Sequence, residues 1–308
     1  MLIHRRFRRF LRRHWVDRQP EHFRWVARLL KRLYPHRRLP GLAVALRVLH
    51  RWLVPAQLYE QGRLGPADLP VRLRVGDAIQ AEIYYQGCFE PELVPWFQRY
   101  LRPHATVLDV GAHCGQFALI ASRSQPGVRV LAFEPDRDNA ADLEHNLAAN
   151  ELRNVQVRRV AVADRAGQLP LYSDDETFGF SDHSLARGAG IFAGRAEMVE
   201  AITLDSLLAE LEAPVCLIKM DIEGAELLAL RGARRLLAAH QPALLLEVDA
   251  RWMLGFDLEP ETLRAWLAEQ GYSCSAIDEH GRLQPVVSGV AACSANWVAL
   301  PNGQSPER

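Results

Sequence analysis

An acidic residue and two glycines follow an apolar segment near the middle of the chain, in a pattern suited to ligand binding. In VLDVGAHCGQFAL, residues 107–119, Asp109 ends a predicted strand, and Gly111 and Gly115 lie in the turn to a predicted helix. Glycines let a backbone approach a ligand closely, and open α/β sheets bind ligands at the carboxyl ends of their strands. The spacing D-x-G-x-x-x-G differs from that of dinucleotide- and phosphate-binding loops, and Asp109 would repel a pyrophosphate. The turn is expected to accept a cationic, amino-bearing ligand instead.

Two further carboxylates follow the next two predicted strands. Glu134, in VLAFEPD, is placed to accept hydrogen bonds from both ribose hydroxyls of a nucleoside. Asp164 ends the segment AVAD, where an adenine can be held. Three acidic strand ends in succession predict a site for an adenosine that carries a positive centre, S-adenosyl-L-methionine. The predicted cofactor site consists of Asp109, Gly111, Ala112, His113, Gly115, Glu134, Pro135, Val162 and Asp164.

Asp221 and Glu223 follow a fourth apolar strand, in the segment KMDIEGAE. Methyl transfer to a hydroxyl needs alignment, and the hydroxyl must also lose a proton. Two carboxylates two residues apart are candidates to orient and deprotonate the hydroxyl, or to bind the ammonium group of the cofactor. The alternative is that Glu223 or Glu226 caps the next helix. His183 is a third candidate base, and the alternative there is an ordinary exposed loop histidine.

A metal site is not expected. Asp221, Glu223 and Asp249 offer the oxygen atoms that magnesium prefers. The sequence has neither an i, i+4 pair of histidines nor a cluster of cysteines that would support a transition metal.

Strands and helices alternate through most of the chain, which predicts an α/β fold with a mostly parallel central sheet and flanking helices. The near-continuous apolar runs are typical of strands buried on both faces. The predicted strands are 106–110, 128–133, 155–162, 215–220, 243–248, 272–277 and 296–300. The predicted helices are 91–101, 116–123, 138–150, 224–239 and 260–270. Residues 164–200, rich in Gly, Ser and Asp, are expected to form a long functional loop.

Basic residues are concentrated at the start of the chain. Residues 1–74 carry 18 basic and 4 acidic residues, although the whole chain has 37 of each. Amphipathic helices with basic faces are predicted at 2–15 and 22–33, and an irregular linker at 55–75. Such a segment is expected to pack on the main domain, or to contact an anionic membrane or a nucleic acid.

These patterns predict two parts, a basic, helical N-terminal arm with a linker at 1–75 and a domain at 76–308. The five cysteines are scattered, and no apolar run reaches 18 residues. Both observations favour a cytoplasmic protein without a spanning helix. Peripheral contact of the arm with the inner face of the membrane is a further expectation.

Several segments together resemble the FkbM family of methyltransferases over about residues 85–250. They are VLDVGAHCG, AFEPD, NLAANELRNVQV, AVAD, ITLDSL, IKMDIEGAE, LRGA and PALLLEVD. The resemblance implies a Rossmann-like class I methyltransferase that uses S-adenosylmethionine on hydroxyls of sugars, glycans or polyketides. It places Asp109, Gly111 and Gly115 on the cofactor loop, makes Glu134 the ribose acid, and puts Asp221 at the end of the fourth strand. Cys114 departs from the family pattern, in which an aliphatic residue is commoner.

The sequence therefore predicts an S-adenosylmethionine-dependent O-methyltransferase of a saccharide, glycan or polyketide-type hydroxyl. The alternative is an RNA methyltransferase whose basic arm binds phosphates. Against this alternative, the sequence lacks the N-P-P-[YF] element of nucleic-acid enzymes that methylate amines. A third interpretation is a scaffold that has kept the fold without catalysis.

Overall fold

The fold is described by a computed structural model for residues 15–36, 39, 41–173, 183–185, 196–286 and 295–304. Among these residues two compact units meet in the chain between Phe89 and Glu90. The first unit extends past the predicted boundary at residue 75 because the helix Ala78–Gln86 packs against both strands of that unit. Nearly all of the helix predicted at 2–15 lies outside the described residues.

The first unit contains a two-stranded sheet. Its elements are α1 (Pro20–Leu33), α2 (Leu42–Leu53), β1 (Tyr59–Leu64), β2 (Leu69–Arg74) and α3 (Ala78–Gln86). Helix α1 confirms the helix predicted at 22–33, but the prediction of an irregular linker at 55–75 is wrong. Strands β1 and β2 pair antiparallel, and the short 3-10 turn Gly65–Ala67 connects them. The glycines and prolines of this segment therefore lie in and around a hairpin.

The second unit contains the α/β sheet. Its helices are α4 (Val94–Tyr100), α5 (Gln116–Ser124), α6 (Arg137–Ala149), α7 (Glu226–Arg231), α8 (Arg234–His240), α9 (Ala250–Met253) and α10 (Pro260–Glu269). The strands of its main sheet are β3 (Thr106–Val110), β4 (Arg129–Phe133), β5 (Val155–Arg158), β10 (Val215–Met220), β11 (Ala243–Val248), β12 (Tyr272–Ile277), β13 (Leu283–Pro285) and β14 (Ala295–Pro301).

The described strands of the main sheet follow the order β13-β12-β14-β11-β10-β3-β4-β5. Strands β11, β10, β3, β4 and β5 are parallel, and β12, β13 and β14 extend the sheet by antiparallel pairs. Every residue of β3 is buried, as expected for a central strand covered on both faces. This arrangement confirms the predicted Rossmann-like fold and brings the carboxyl ends of β3, β4, β10 and β11 to one edge.

The predicted strand 155–162 is wrong in its second half. After β5 the chain leaves the main sheet, and β6 (Ala161–Val162) belongs to a second sheet with β7 (Gly167–Ser173), β8 (His183–Ser184) and β9 (Ala196–Ile202). The segment 164–200 is thus not a plain loop, because β7 and β9 pair antiparallel within it. Its polar composition conceals strands whose apolar residues, such as Leu171, Val199 and Ala201, pack in a small separate core.

The single helix predicted at 224–239 is interrupted after α7. A Cβ atom on Gly232 would lie 2.3 Å from the carbonyl oxygen of Ala163. Glycine at this position lets the turn between α7 and α8 contact the backbone that follows β6. The break in the helix therefore joins the main sheet to the second sheet.

Candidate active site

The turn after β3 folds against the end of β4. The backbone N–H groups of Gly111 and Ala112 both donate to the carbonyl of Phe133, at 3.0 Å. The N–H of His113 donates to Oε2 of Glu134, at 2.8 Å. His113 itself has a left-handed backbone, with φ of 50°. Backbone N–H groups of the turn after β3 therefore bind both the end of β4 and the side chain of Glu134.

Two glycines make this turn sterically possible. Gly111 has φ of 75°, and a Cβ atom on it would lie 1.8 Å from the carbonyl oxygen of Asp221. Gly115 has φ of 91°, and a Cβ atom there would lie 2.1 Å from the side chain of Leu143. Both positions need a residue that tolerates the left-handed region and carries no side chain. The glycine spacing found in the sequence thus reflects close backbone approach to β10 and α6.

Replacing Gly111 with alanine is expected to reduce the free energy of unfolding by about 3 kcal/mol, because a clash with backbone adds to left-handed strain. Gly303→Ala is the matched control, since Gly303 also has a positive φ but nothing lies within 4 Å of an added Cβ. The control should lose only about 1 kcal/mol. Chemical denaturation of both variants measures the difference, and equal losses would contradict the close approach described for Gly111.

Glu134 is buried between two backbone donors. Its Oε1 atom accepts the N–H of Asp136 at 2.9 Å, and its Oε2 atom accepts the N–H of His113. Each oxygen of a carboxylate can accept more than one hydrogen bond, and these two contacts fix the direction in which the group points. Ala112 is buried and Pro135 is half-buried in the adjoining segments. The carboxylate is thus held in one orientation and remains suited to hydroxyl donors.

Asp109 is fully buried at the end of β3. Burial raises the pKa of its carboxyl group to about 6, and the ammonium of Lys219 and the N–H of Ala118 oppose that rise. Lys219 stands opposite Asp109 in the parallel register of β10 with β3. Asp109 therefore lies beside a buried cation as well as beside the glycine turn.

Lys219 is the buried cation of this edge of the sheet, and the sequence analysis did not identify it. Its Nζ atom lies 3.1 Å from Oδ2 of Asp221 and donates to the carbonyl of Gly111 at 3.3 Å. Burial works to lower the pKa of Lys219, but the carboxylates of Asp221, Asp109 and Glu90 outweigh it and hold that pKa above its ordinary value. A lysine inside an apolar strand is the available sequence signal, because a buried lysine needs an anionic partner.

Three carboxylates meet at the ends of β10 and β11. Asp221, Glu223 and Glu247 each place an oxygen within 4.8 Å of the others. Asp221 and Glu247 lie close enough for each to shift the pKa of the other, and two adjacent carboxyl groups do not both ionise readily. We call Asp221 and Glu247 the acid pair. Glu247 is the second functional candidate that the sequence analysis missed, because it lies inside its predicted strand rather than after it.

The pKa values of the two carboxyl groups of the acid pair are shifted in opposite directions. Burial works to raise the pKa of Asp221, but Lys219 and the hydrogen bond from Glu247 outweigh it and hold that pKa below its ordinary value. Burial, the charge of Asp221 and the shared hydrogen bond raise the pKa of Glu247 well above its ordinary value. Asp221 is therefore the more acidic member of the pair, and Glu247 is the member that holds a proton more readily. Glu90 is a further carboxyl group near this site. It accepts a hydrogen bond from Asn296 at 2.8 Å, and burial raises the pKa of Glu90 to about 7.

Asp249 is not a member of this group, although the sequence analysis considered it with Asp221 and Glu223 as a source of oxygen ligands. Its side chain accepts the N–H of Arg251 at the start of α9 and forms an ion pair with the Arg251 guanidinium. Glu247, two residues earlier and still in β11, lies beside Asp221 instead. Among the described residues, Asp221, Glu223 and Glu247 are thus the group that could hold a metal cation. The ammonium of Lys219 already forms an ion pair with Asp221.

The helix-capping alternative for the fourth strand applies to Glu226. Its Oε1 atom accepts the N–H of Ile222 at 3.0 Å and that of Gly224 at 3.3 Å, just before α7. The carbonyl of Glu223 accepts the hydroxyl of Ser184 at 3.1 Å, which brings β8 to the end of β10. The backbone of His183 belongs to β8, but its side chain lies outside the described residues.

The third predicted strand end is placed differently from the first two. Val162 is buried in the main core at the end of β6, and Asp164 is exposed two residues later. The structure thus gathers Asp109, Glu134 and Asp221 around the glycine turn and leaves Asp164 in solvent. A role for Asp164 and Val162 in binding adenine stays a prediction.

A parallel sheet of this order, with its polar residues at the carboxyl ends of the strands, is of the Rossmann-like type. The family model named Methyltransferase FkbM domain matches residues 109–274, more than half of the chain, and the chain belongs to that family. The resemblance noted in the sequence is thereby confirmed.

Two curated relatives illustrate the extent of similarity. The chain is 30% identical over 182 residues to the 31-O-demethyl-FK506 methyltransferase FkbM of Streptomyces tacrolimicus, covering 51% of this chain and 70% of that protein. It is 28% identical over 182 residues to methyltransferase sdnD of Sordaria araneosa, covering 50% and 67%. The crystal structure of methyltransferase FkbM from Methylobacillus flagellatus KT aligns with a TM-score of 0.40 and 18% identity, over 72% of this chain and 52% of that one.

Proposed function

We propose that this protein is an S-adenosylmethionine-dependent O-methyltransferase that acts on a hydroxyl of a saccharide, glycan or polyketide-type acceptor. The observation that carries the proposal is the fixed turn after β3, whose backbone binds the Glu134 carboxylate beside the buried Asp109. The family is one of methyltransferases, and the relative from Streptomyces tacrolimicus is named for a 31-O-demethyl substrate.

The residues of the site fit this cofactor. Gly111 and Gly115 let the turn after β3 pack against Asp221 and Leu143, which fixes the backbone that would meet the nucleoside. Glu134, whose carboxylate is oriented by the N–H groups of His113 and Asp136, would accept hydrogen bonds from the ribose hydroxyls. Asp109 gives this edge of the sheet a negative charge that suits a cationic ligand. S-adenosylmethionine, when bound, supplies an electrophilic methyl group on a positively charged sulfur.

The acid pair is the proposed acceptor of the hydroxyl proton. The hydroxyl becomes strongly acidic as its oxygen bonds to the methyl carbon, so an ionised carboxylate accepts the proton without a raised pKa. Asp221 is the more acidic member of the pair, and the Nζ atom of Lys219 lies 3.1 Å from its Oδ2 atom. Glu223 lies within the same group of carboxylates and is placed to orient the acceptor. His183 remains a further candidate base from the sequence alone.

The first test is methyl transfer itself. The full-length protein, labelled S-adenosylmethionine and fractionated cell extract should give label in a glycan, glycolipid or small-molecule fraction, in an alkali-stable ether. Label in RNA would instead support the alternative function, which the family match does not favour. If the protein binds no S-adenosyl compound, it is a scaffold, and the proposal is wrong.

The second test concerns cofactor affinity. Glu134→Gln is expected to weaken S-adenosylmethionine binding about 10- to 100-fold, because an amide cannot replace a charged acceptor for both the backbone and the ribose. Asp109→Asn should also weaken it. Glu144→Gln on the exposed face of α6 is the matched control and should bind normally. Calorimetry measures the affinities, and unchanged binding in both site variants would refute the assignment of the site.

A further inference from the structure

The first unit exposes an unusual amount of apolar surface. Nine large apolar side chains are exposed among the described residues, and seven of them lie between positions 15 and 49. They are Trp15, Trp25, Leu29, Leu39, Val44, Val48 and Leu49, whereas the second unit contributes Met198 and Leu254. Scattered exposed apolar residues are ordinary, but a concentration in one short stretch marks an interaction surface.

Helix α2 carries the most distinct part of this surface. Val44 and Val48, one turn apart, are 57% and 49% exposed, and Leu49 is 42% exposed. Leu46 is the buried residue of this helix, and His50 next to it on the wheel hydrogen-bonds the hydroxyl of Tyr85 on α3, at 2.8 Å. These contacts show which side of α2 packs against the rest of the first unit. The opposite side presents Val44 and Val48 to solvent, and Leu49 is exposed on the flank of the helix.

Basic residues flank the exposed side of α2. Arg47 and Arg51 follow Val44 and Val48 by three residues each, so they lie along the same side of the helix. Both arginines are exposed. The whole stretch 22–59 contains eight arginines and lysines and neither aspartate nor glutamate. An apolar strip beside arginines matches the pattern of helices that lie in the interface of a membrane.

Other occupants fit this surface less well. Among the described residues, no helix is both long enough and apolar enough to cross a bilayer, so α2 is not a candidate for a spanning segment. A second copy of the chain would bring two basic surfaces together, which like charges oppose. A nucleic acid would satisfy the arginines but would leave Val44, Val48 and Leu49 facing phosphates. A bilayer with anionic headgroups satisfies both the charge and the apolar side chains.

We propose that the exposed side of α2, formed by Val44, Val48 and Leu49 with Arg47 and Arg51, docks on the surface of an anionic lipid bilayer. The helix would lie parallel to the membrane, with its apolar side chains at the level of the headgroups and its arginines bound to lipid phosphates. Trp25 and Leu29 on the exposed side of α1 offer a second apolar strip in the same unit. This proposal does not depend on the methyl-transfer chemistry.

The test is sedimentation of the full-length protein with vesicles. We expect binding to vesicles of phosphatidylcholine with phosphatidylglycerol, and at least tenfold weaker binding to phosphatidylcholine alone. The double variant Val44→Glu/Val48→Glu should lose more than tenfold in affinity. Arg47→Ala/Arg51→Ala should lose about fivefold for each arginine removed. Met198→Glu is the matched control, because it changes an equally exposed apolar residue of the second unit.

Several outcomes would overturn the proposal. Normal binding by the double glutamate variant would place any membrane contact elsewhere in the chain. Equal binding to neutral and anionic vesicles would remove the role of the arginines. Failure to bind vesicles, together with a dimer that the glutamate variant abolishes, would identify a second copy as the occupant. Because the changed residues are exposed, thermal melting of every variant should match that of the unmodified protein.

Discussion

Replacing Asp221 with asparagine is expected to lower kcat about 10²- to 10⁴-fold, the range found when a general base is removed. Asparagine has nearly the same shape but cannot take up the proton of the acceptor hydroxyl. Affinity for S-adenosylmethionine should stay within about threefold, since the change leaves the turn after β3 and Glu134 intact. Single-turnover assays with saturating cofactor measure the first effect, and calorimetry measures the second.

This variant also separates the two roles that the sequence left open for Asp221. A large loss of cofactor affinity with little change in kcat would mean that Asp221 binds the ammonium group of the cofactor. Glu247→Gln keeps a hydrogen-bond donor beside Asp221, so it should lose less activity than Asp221→Asn. Equal losses would mean that Glu247 is itself the base. Asp257→Asn, at an exposed position, is the matched control and should keep full activity.

Lys219→Met is expected to reduce the free energy of unfolding by about 3–5 kcal/mol, because it leaves buried carboxylates without their cation. Methionine fills a similar volume, so lost packing contributes little. The side chain of Lys219 is only 6% exposed and that of Asp221 is 23% exposed, so solvent screens the lost interaction weakly. Urea denaturation near neutral pH measures the loss.

The pH dependence of that loss identifies its cause. In the unmodified protein Asp221 has a lowered pKa and Lys219 a raised one. Their contribution to stability is therefore present above the ordinary pKa of aspartate and below that of lysine. In Lys219→Met the carboxyl groups have raised pKa values, so the deficit should shrink as the pH falls and these groups protonate. The double variant Lys219→Met/Asp221→Asn should recover part of the stability at neutral pH, and a deficit that does not vary with pH would point to packing instead.

The part of the site formed within one βαβ unit could be predicted from the sequence. Asp109, Gly111 and Glu134 lie at the ends of consecutive parallel strands, and such ends meet at one edge of the sheet whatever the details of packing. The turn at Gly111 and Gly115 was also predicted from the glycine spacing, and the structure adds that both residues have a left-handed backbone. Local chain geometry therefore determined these positions.

The rest of the site could not be predicted, because it depends on contacts between segments that are far apart in the sequence. Lys219 meets Asp109 through the register of β10 with β3, and Glu247 meets Asp221 through the neighbouring β11. Register between strands that are far apart in sequence is not encoded in either strand alone. The second sheet was missed for a similar reason, because β9 pairs with β6 and β7 across a polar segment of low apolar content.

The several carboxyl groups around the single ammonium of Lys219 are also expected to affect which acceptor molecules can bind. Asp109, Asp221, Glu223 and Glu90 outnumber Lys219, and Asp109 is fully buried whereas Asp221 and Glu223 are half-buried. A phosphate or uronic acid about 4 Å from such a carboxylate would meet a repulsion of about 4 kcal/mol at an effective dielectric constant near 20. Under the proposed function, acceptors whose rings are uncharged beside the reacting oxygen would escape that repulsion, and we expect the enzyme to methylate them in preference to charged ones.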